Sequence, residues 1–505
     1  MPANRAMLLR PSILLALVSL VLHAAANGHY GFFRDELYFI VCGMHPDWGY
    51  VDQPALVPLL AAWAHGLSGD NVLIFRLLPM LVAAATTAMT AEFAGAIGGD
   101  RFAQWLSGLC VLIAPIFLLE GTLFFTDMFQ PITWLGLAFV LVKLEQSENE
   151  RWWLAFGAIA GFSLNTKYLI AFYLGALAVA LLFTPRRKSL LRPWVWTGAV
   201  LAVALTLPNV LWQQAHGWPF IELGKAGANG KNMPMSPAAF LVQQVLQIGP
   251  PAALVWLAGL WAGLTVPKPV VARAFPIAWL ILFLIFDASH GKPYYLAPIY
   301  PTLLALGAKW IEQRIADKRL RAAVLGMVAI PGLLIAPVML PILPVETFVR
   351  YQNAIGFTPS VGERLKQGAL PQYFADMFGW PQMAQKIAEV YWSLPPAERH
   401  KAVFYGENYG EAAAIDVFGP RLGLPPAISG HNNYFLWGPR GHDGSVMIII
   451  GGSTKHYDDL FQSHSVAGHI DAPYAMPYET DKPIYVLRGM KTPLSTAWPQ
   501  VKHYE

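Results

Sequence analysis

Residues 9–38 read LRPSILLALVSLVLHAAANGHYGFFRDELY. The first nineteen of these form an apolar run, and a membrane-spanning helix needs about 20 mostly apolar residues. The charged triplet Arg34-Asp35-Glu36 follows directly. The same start also reads as a signal peptide, with Arg5 and Arg10 ahead of an apolar run that closes on Ala24-Ala25-Ala26. The length of the run and the spans that follow favour a retained helix. Ten further stretches repeat the pattern, at 71–95, 102–118, 128–144, 152–166, 169–184, 194–211, 248–266, 273–287, 294–309 and 321–343. Together they predict a polytopic α-helical membrane protein with about eleven transmembrane helices.

Composition agrees. Of 505 residues 55% are hydrophobic and 13% charged, and the mean hydropathy is +0.42. A soluble globular chain carries about 25% charged residues, so a wholly soluble protein is excluded. The apolar content also excludes disorder. Eighteen Trp, 19 Tyr and 28 Phe suit aromatic belts at the two membrane surfaces. Cys42 and Cys110 are too few for a disulfide framework and lack metal-type spacing. A net charge of +4 does not point to nucleic acid.

Lys and Arg placement gives the orientation. With the N-terminus in the cytoplasm, inside loops hold Arg101, Arg151, the cluster Arg186-Arg187-Lys188 with Arg192, Lys268, Arg273, Arg314, Lys318, Arg319 and Arg321. Outside loops hold only Arg34, Lys167, Lys225, Lys231 and Lys292. This satisfies the positive-inside rule and predicts a multi-pass membrane protein. Three regions fall on the outer face: loop 28–70, loop 212–247 and everything after 344. Loop 28–70 has apolar stretches at 37–44 and 54–67, read as interfacial helices. Residues 345–505 lose span-length apolar runs and read as an α/β domain on the outer face. Its expected helices are Met383–Tyr391 and Tyr409–Phe418, and its expected strands are Lys401–Tyr405, Val446–Ile450 and Pro483–Leu487. The transmembrane module is 1–344.

Ionisable side chains at the outer edge are the candidates for chemistry. A charge at the bilayer centre costs about 2.5–3.5 kcal/mol. Arg34, Asp35 and Glu36 are therefore either solvated loop charges or groups facing a substrate groove, as base or metal ligand. Asp52 lies in Gly49-Tyr50-Val51-Asp52-Gln53-Pro54, and Asp127 lies at the outer end of the fourth stretch with Glu120 close by. Carboxylates on separate outer segments suggest one acidic pocket. Lys167, in Asn165-Thr166-Lys167-Tyr168, and Lys292, in Lys292-Pro293-Tyr294-Tyr295, are isolated cations on the same face. They read either as snorkelling lysines or as point charges for a phosphate. His216, in His216-Gly217-Trp218-Pro219, is a structural loop histidine or shares a metal with Asp52. HExxH, P-loop and dinucleotide-binding patterns are missing from the sequence, so ATP and dinucleotide chemistry have no support.

In order along residues 1–345, Phe33-Arg34-Asp35-Glu36-Leu37-Tyr38, Gly49–Pro54, Asp127, Lys167-Tyr168, His216–Pro219 and Lys292–Leu296 resemble glycosyltransferase family 39. The likeness is to its PMT-like bacterial relatives of GT-C architecture, including the lipid A aminoarabinose transferases. Glu407-Asn408-Tyr409-Gly410-Glu411-Ala412 and Ser429–Tyr434 look like a bacterial subgroup. The resemblance implies transfer of a sugar from a polyprenyl phosphate to a lipid, glycan or protein acceptor at the periplasmic face. It implies Asp35 as catalytic base, with Glu36 and Asp127 in support. It implies Arg34, Lys167, Lys292, Tyr294 and Tyr295 on the substrate side, and Asp52 with His216 as ligands of a divalent metal (Zn, Mg or Mn). Gln53 stands where the family usually has a lysine. A transporter or flippase for a phosphorylated lipid is the competing class. It would place polar groups at midplane, often with inverted repeats, and neither pattern is visible here. A scaffold role leaves the outer-edge charges unexplained, and an oligosaccharide ligase is a near variant.

Overall fold

A computed structural model describes residues 10–227, 234–265, 269–358, 366 and 368–505. Arg5, the first residue of the first expected span, Lys231 and Lys268 lie outside the described residues. The chain divides into two compact units. One holds the described residues of 1–29, 73–212 and 232–344, and the other those of 30–72, 213–231 and 345–505.

The first unit is helical. Each of the eleven apolar stretches carries a helix, including Pro11–Ala26, Leu77–Ala96, Gln130–Ser147, Pro193–Ala215, Ala274–Ala288 and Lys318–Met339. Among the described residues, five helices are long and apolar enough to cross a membrane, or up to seven if each of two bent pairs is one span. Several of the others are short because proline divides them. Pro115 pushes Ala114 to an extended conformation, ψ 130°, and so separates Arg101–Ile113 from Pro115–Glu120. Gly249-Pro250 likewise sets Pro237–Ile248 and Pro250–Thr265 at 110°.

Helix contacts here come from small residues and cross-helix hydrogen bonds, as expected where lipid gives no hydrophobic drive between helices. Thr133 and Ser163 hydroxyls meet at 2.9 Å, and Gln130 Nε2 donates to Thr166 Oγ1 at 3.0 Å. Trp134 stacks on Tyr173 with centroids 4.1 Å apart. Pro250–Thr265 and Tyr300–Glu312 approach closely at Gly259 and Gly307. A methyl group on Gly307 would run into the Val255 carbonyl oxygen, and one on Gly259 into that of Leu303.

The second unit is α/β. Arg34–Met44 and Leu56–Ser68 are helical, as expected for loop 28–70. Between them, Tyr50 N–H donates to the Gln53 carbonyl and the Tyr50 hydroxyl to that of Cys42. The sheet has order β1-β2-β4-β3, with β1 Ala402–Phe404, β2 Val446–Ile450, β3 Phe461–Ile470 and β4 Lys482–Met490. β1 and β2 are parallel and joined through the helix Tyr409–Phe418, while β4 runs antiparallel to β2 and β3. Val-Met-Ile-Ile-Ile of β2 is buried on both faces, the pattern of a central strand. The three expected strands and the two expected helices form, with Met383–Tyr391 inside Trp380–Ser393. β3 was not expected from the sequence. Its residues are mostly exposed or half-buried between two buried ends, so no apolar alternation marks it.

Gly307→Ala is expected to destabilise the protein by about 1–3 kcal/mol, the scale of overpacking. Thermal unfolding in detergent checks this. Gly326→Ala, where a methyl group meets nothing within 4 Å, is expected to leave the midpoint in place.

Candidate active site

In the second unit the site is built on the start of the helix Arg34–Met44. Glu36 is buried, and its Oε2 accepts from the Phe33 N–H at 2.8 Å. It thus closes the helix N-terminus, as a residue at the third position does in a capping box. Asp35, one residue earlier, keeps a side chain 31% exposed. Its Oδ1 accepts from the Tyr409 hydroxyl at 2.7 Å and lies 3.5 Å from Arg34 Nε.

Arg34 is largely buried and shared between two acids. Its Nη2 lies 3.8 Å from Asp376 Oδ2, too long for a hydrogen bond but close enough for attraction. Its Nη1 donates to the Tyr478 hydroxyl at 2.7 Å, and its guanidinium lies over the Tyr409 ring at 5.2 Å. Burial pushes Asp376 up to about 6, while Arg34 pulls the other way. Beside it, burial pushes Glu479 up to about 7, against the hydrogen bond from Asn408 and the charge of Arg34. Burial, then the Glu479 charge, also raises Glu411.

Asp52 Oδ1 accepts from the Tyr38 hydroxyl at 3.0 Å. The Asn433 N–H donates to that same hydroxyl oxygen at 3.1 Å, and Asn433 Oδ1 accepts from Val51 N–H at 3.1 Å. His216 is exposed. Among the described residues no group of three or more His, Cys, Asp or Glu side chains is arranged to hold a metal ion.

The first unit assembles the other candidates. Asp127 is buried in the 3₁₀ turn Thr126–Phe129, and its Oδ2 pairs with Lys167 Nζ at 2.5 Å. Lys167 Nζ also lies over the rings of Tyr294 and Tyr295, at 5.5 and 5.3 Å, and Lys292 Nζ lies 6.0 Å from the Tyr294 ring. Asp127, Lys167, Lys292, Tyr294 and Tyr295 therefore form one cluster of charge and aromatic faces. Arg34, Asp35, Tyr38 and Asp52 form another, in the second unit.

The sequence reading missed Asp376, Tyr478 and Asn433 and gave Tyr409 no role. Tyr409 and Asn433 stand inside the two motifs singled out above. Asp376 and Tyr478 carry no local signal.

A family profile for dolichyl-phosphate-mannose-protein mannosyltransferase matches residues 52–212. Two structures of ArnT from Cupriavidus metallidurans, one bound to undecaprenyl phosphate and one apo, share the fold. Their TM-scores are 0.62 and 0.64, each at 16% identity, over 94% and 96% of this chain and 97% and 98% of theirs. Residues 52–212 are therefore similar to that family, and the chain has the ArnT-like GT-C fold. The chain is also 26% identical over 275 residues to the lipid A galacturonosyltransferase RgtD of Rhizobium johnstonii, covering 52% of this chain. The match takes in 56% of RgtD, so the chain spans about half the length of the curated relative it matches.

Arg34→Met would leave Asp376 buried without its cation. Removing one partner of a buried pair costs about 3–5 kcal/mol. A protonated Asp376 needs no cation, so the deficit is largest above the raised value of about 6 and shrinks as pH falls through it. Thermal midpoints of wild type and Arg34→Met at pH 5 and pH 8 check this, with the larger gap expected at pH 8.

Proposed function

We propose that the chain is a membrane glycosyltransferase that moves a sugar from a polyprenyl-phosphate donor to an acceptor hydroxyl. The observation that carries the reading is Asp35, a partly exposed carboxylate whose Oδ1 is tied to Tyr409. The fold likeness to ArnT bound to undecaprenyl phosphate supports the donor class. The RgtD name favours a lipid A-type glycolipid acceptor over a glycan or protein.

In this reading Asp35 takes the proton of the acceptor hydroxyl as its oxygen bonds to the anomeric carbon. The bond from that carbon to the phosphate oxygen breaks, and the polyprenyl phosphate leaves as a monoester anion. Direct displacement inverts the anomeric centre. Lys167 and Lys292, above the faces of Tyr294 and Tyr295, supply positive charge to the leaving phosphate. Asp127 holds the Lys167 ammonium in place. The Lys and Arg distribution supports a bacterial inner-membrane protein with residues 345–505 on the periplasmic side. A transporter of phosphorylated lipids would have no need of an oriented base.

Membranes carrying the full chain, supplied with polyprenyl-phosphate sugars, are expected to glycosylate a lipid A acceptor, read by mass spectrometry. Asp35→Asn is expected to lower the rate about 10²-fold or more, the scale of acid–base catalysis. Equal rates in a folded variant would remove Asp35 from the chemistry.

A divalent cation on Asp52 and His216 is the remaining part of the proposal. The fit is partial. Two side chains supply donors of the type that holds zinc, and Asp52 already accepts from Tyr38, so no step is routed through a metal. Metal analysis of purified protein is expected to find bound metal that Asp52→Ala and His216→Ala both lose. A wild type without stoichiometric metal, fully active in chelator, would leave the two residues as hydrogen-bonding loop groups.

A further inference from the structure

A base that accepts a proton through one carboxylate oxygen must have its other oxygen held. The group that holds Asp35 comes from far along the chain. Tyr409 opens the helix Tyr409–Phe418, whose N-terminus is closed by Asn408 Oδ1, which accepts from the Gly410 and Glu411 N–H groups. The Tyr409 N–H itself donates to His431 Nδ1 at 3.4 Å. The Tyr409 ring is buried, 4.6 Å from the Tyr38 ring and 4.8 Å from that of His431, with the Arg34 guanidinium over it.

Backbone and ring are thus both held in place. The hydroxyl donates to Asp35 Oδ1 at 2.7 Å. The Arg34 Nε contact falls on that same oxygen, which leaves Oδ2 without a hydrogen-bond partner among the described residues. Tyr38 treats Asp52 the same way, with its own hydroxyl oxygen held by the Asn433 N–H. Two neighbouring tyrosines therefore each hold one loop carboxylate, and both are fixed by residues after 400.

We infer that Tyr409 is a positioning residue that presents Oδ2 of Asp35 to the acceptor hydroxyl. This rests on the reading of Asp35 as the base. A hydrogen-bond donor favours the ionised form of the carboxylate it bonds, so the acidic limb of the rate profile is a readout that a merely structural role would leave in place. The charged and titratable groups around Asp35 are Arg34 and Glu36 on its own helix, Tyr409 and Asp376, with Tyr478 on Arg34.

The test uses the purified full chain with a polyprenyl-phosphate sugar as donor. Tyr409→Phe is expected to lower kcat about 10-fold, as a slightly misplaced base does, with KM for the donor unchanged. The acidic limb of kcat/KM is expected to move up by about one pH unit. Tyr457→Phe removes another buried hydroxyl, one that donates to the Gly451 carbonyl, and is expected to leave the limb in place. A Tyr409→Phe variant with wild-type unfolding temperature, kcat and pH limb overturns the inference. Should that variant fail to fold, 3-fluorotyrosine at 409, a stronger donor of nearly the same size, is expected to move the limb down, and an unmoved limb overturns the inference as well. Activity surviving in Asp35→Asn defeats the base assignment itself. An inactive Asp35→Asn beside an unaffected Tyr409→Phe defeats only the positioning role.

Discussion

A guanidinium withdrawn from water has to be matched where it sits, and the second unit is organised around matching Arg34. Asp35 is its neighbour in sequence, whereas Asp376, Tyr478 and Tyr409 come from segments hundreds of residues later. Leaving a buried charge unpaired costs several kcal/mol, so the loop that starts at Arg34 and the segment after 345 are held to each other by electrostatics. The Arg34 N–H adds a backbone bond to the Asp376 carbonyl at 3.0 Å. Asp35 gains its orientation as a consequence, because Tyr409 reaches it from the same packed group.

The first unit solves a similar problem with different parts. Lys167 is paired with Asp127 and faced by two tyrosine rings. An ammonium held this way has favourable partners other than bulk water. It also stays close to Lys292, through the ring of Tyr294 that both approach. Chemistry that releases an anion needs charge that is fixed before the anion forms, and this cluster has that property.

The sequence located the helices of the first unit because apolar runs of near-span length are a strong local signal. It placed the helix Tyr409–Phe418 at its observed limits and strand β2 likewise, since turn residues and a run of β-branched residues need no distant partner to be read. It also singled out every member of the Lys167 and Lys292 cluster. Isolated lysines between apolar stretches stand out without a structure.

What the sequence by itself determined, then, is helix content, the carboxylates and lysines next to the apolar stretches, and the resemblance those residues carry in order. Tertiary structure decided their partners. Glu36 looked equivalent to Asp35 in the charged triplet, yet its carboxylate is used on the Phe33 N–H, while Asp35 faces Tyr409. Asp376 and Tyr478 sit in segments with no motif, and only the fold brings them to Arg34. β3 is mostly exposed and joins the sheet through its backbone bonds to β4. The physical reason is the same in each case: periodicity and composition report how a residue meets solvent or lipid, whereas an ion pair or hydrogen bond between distant segments depends on distances that only the folded chain sets.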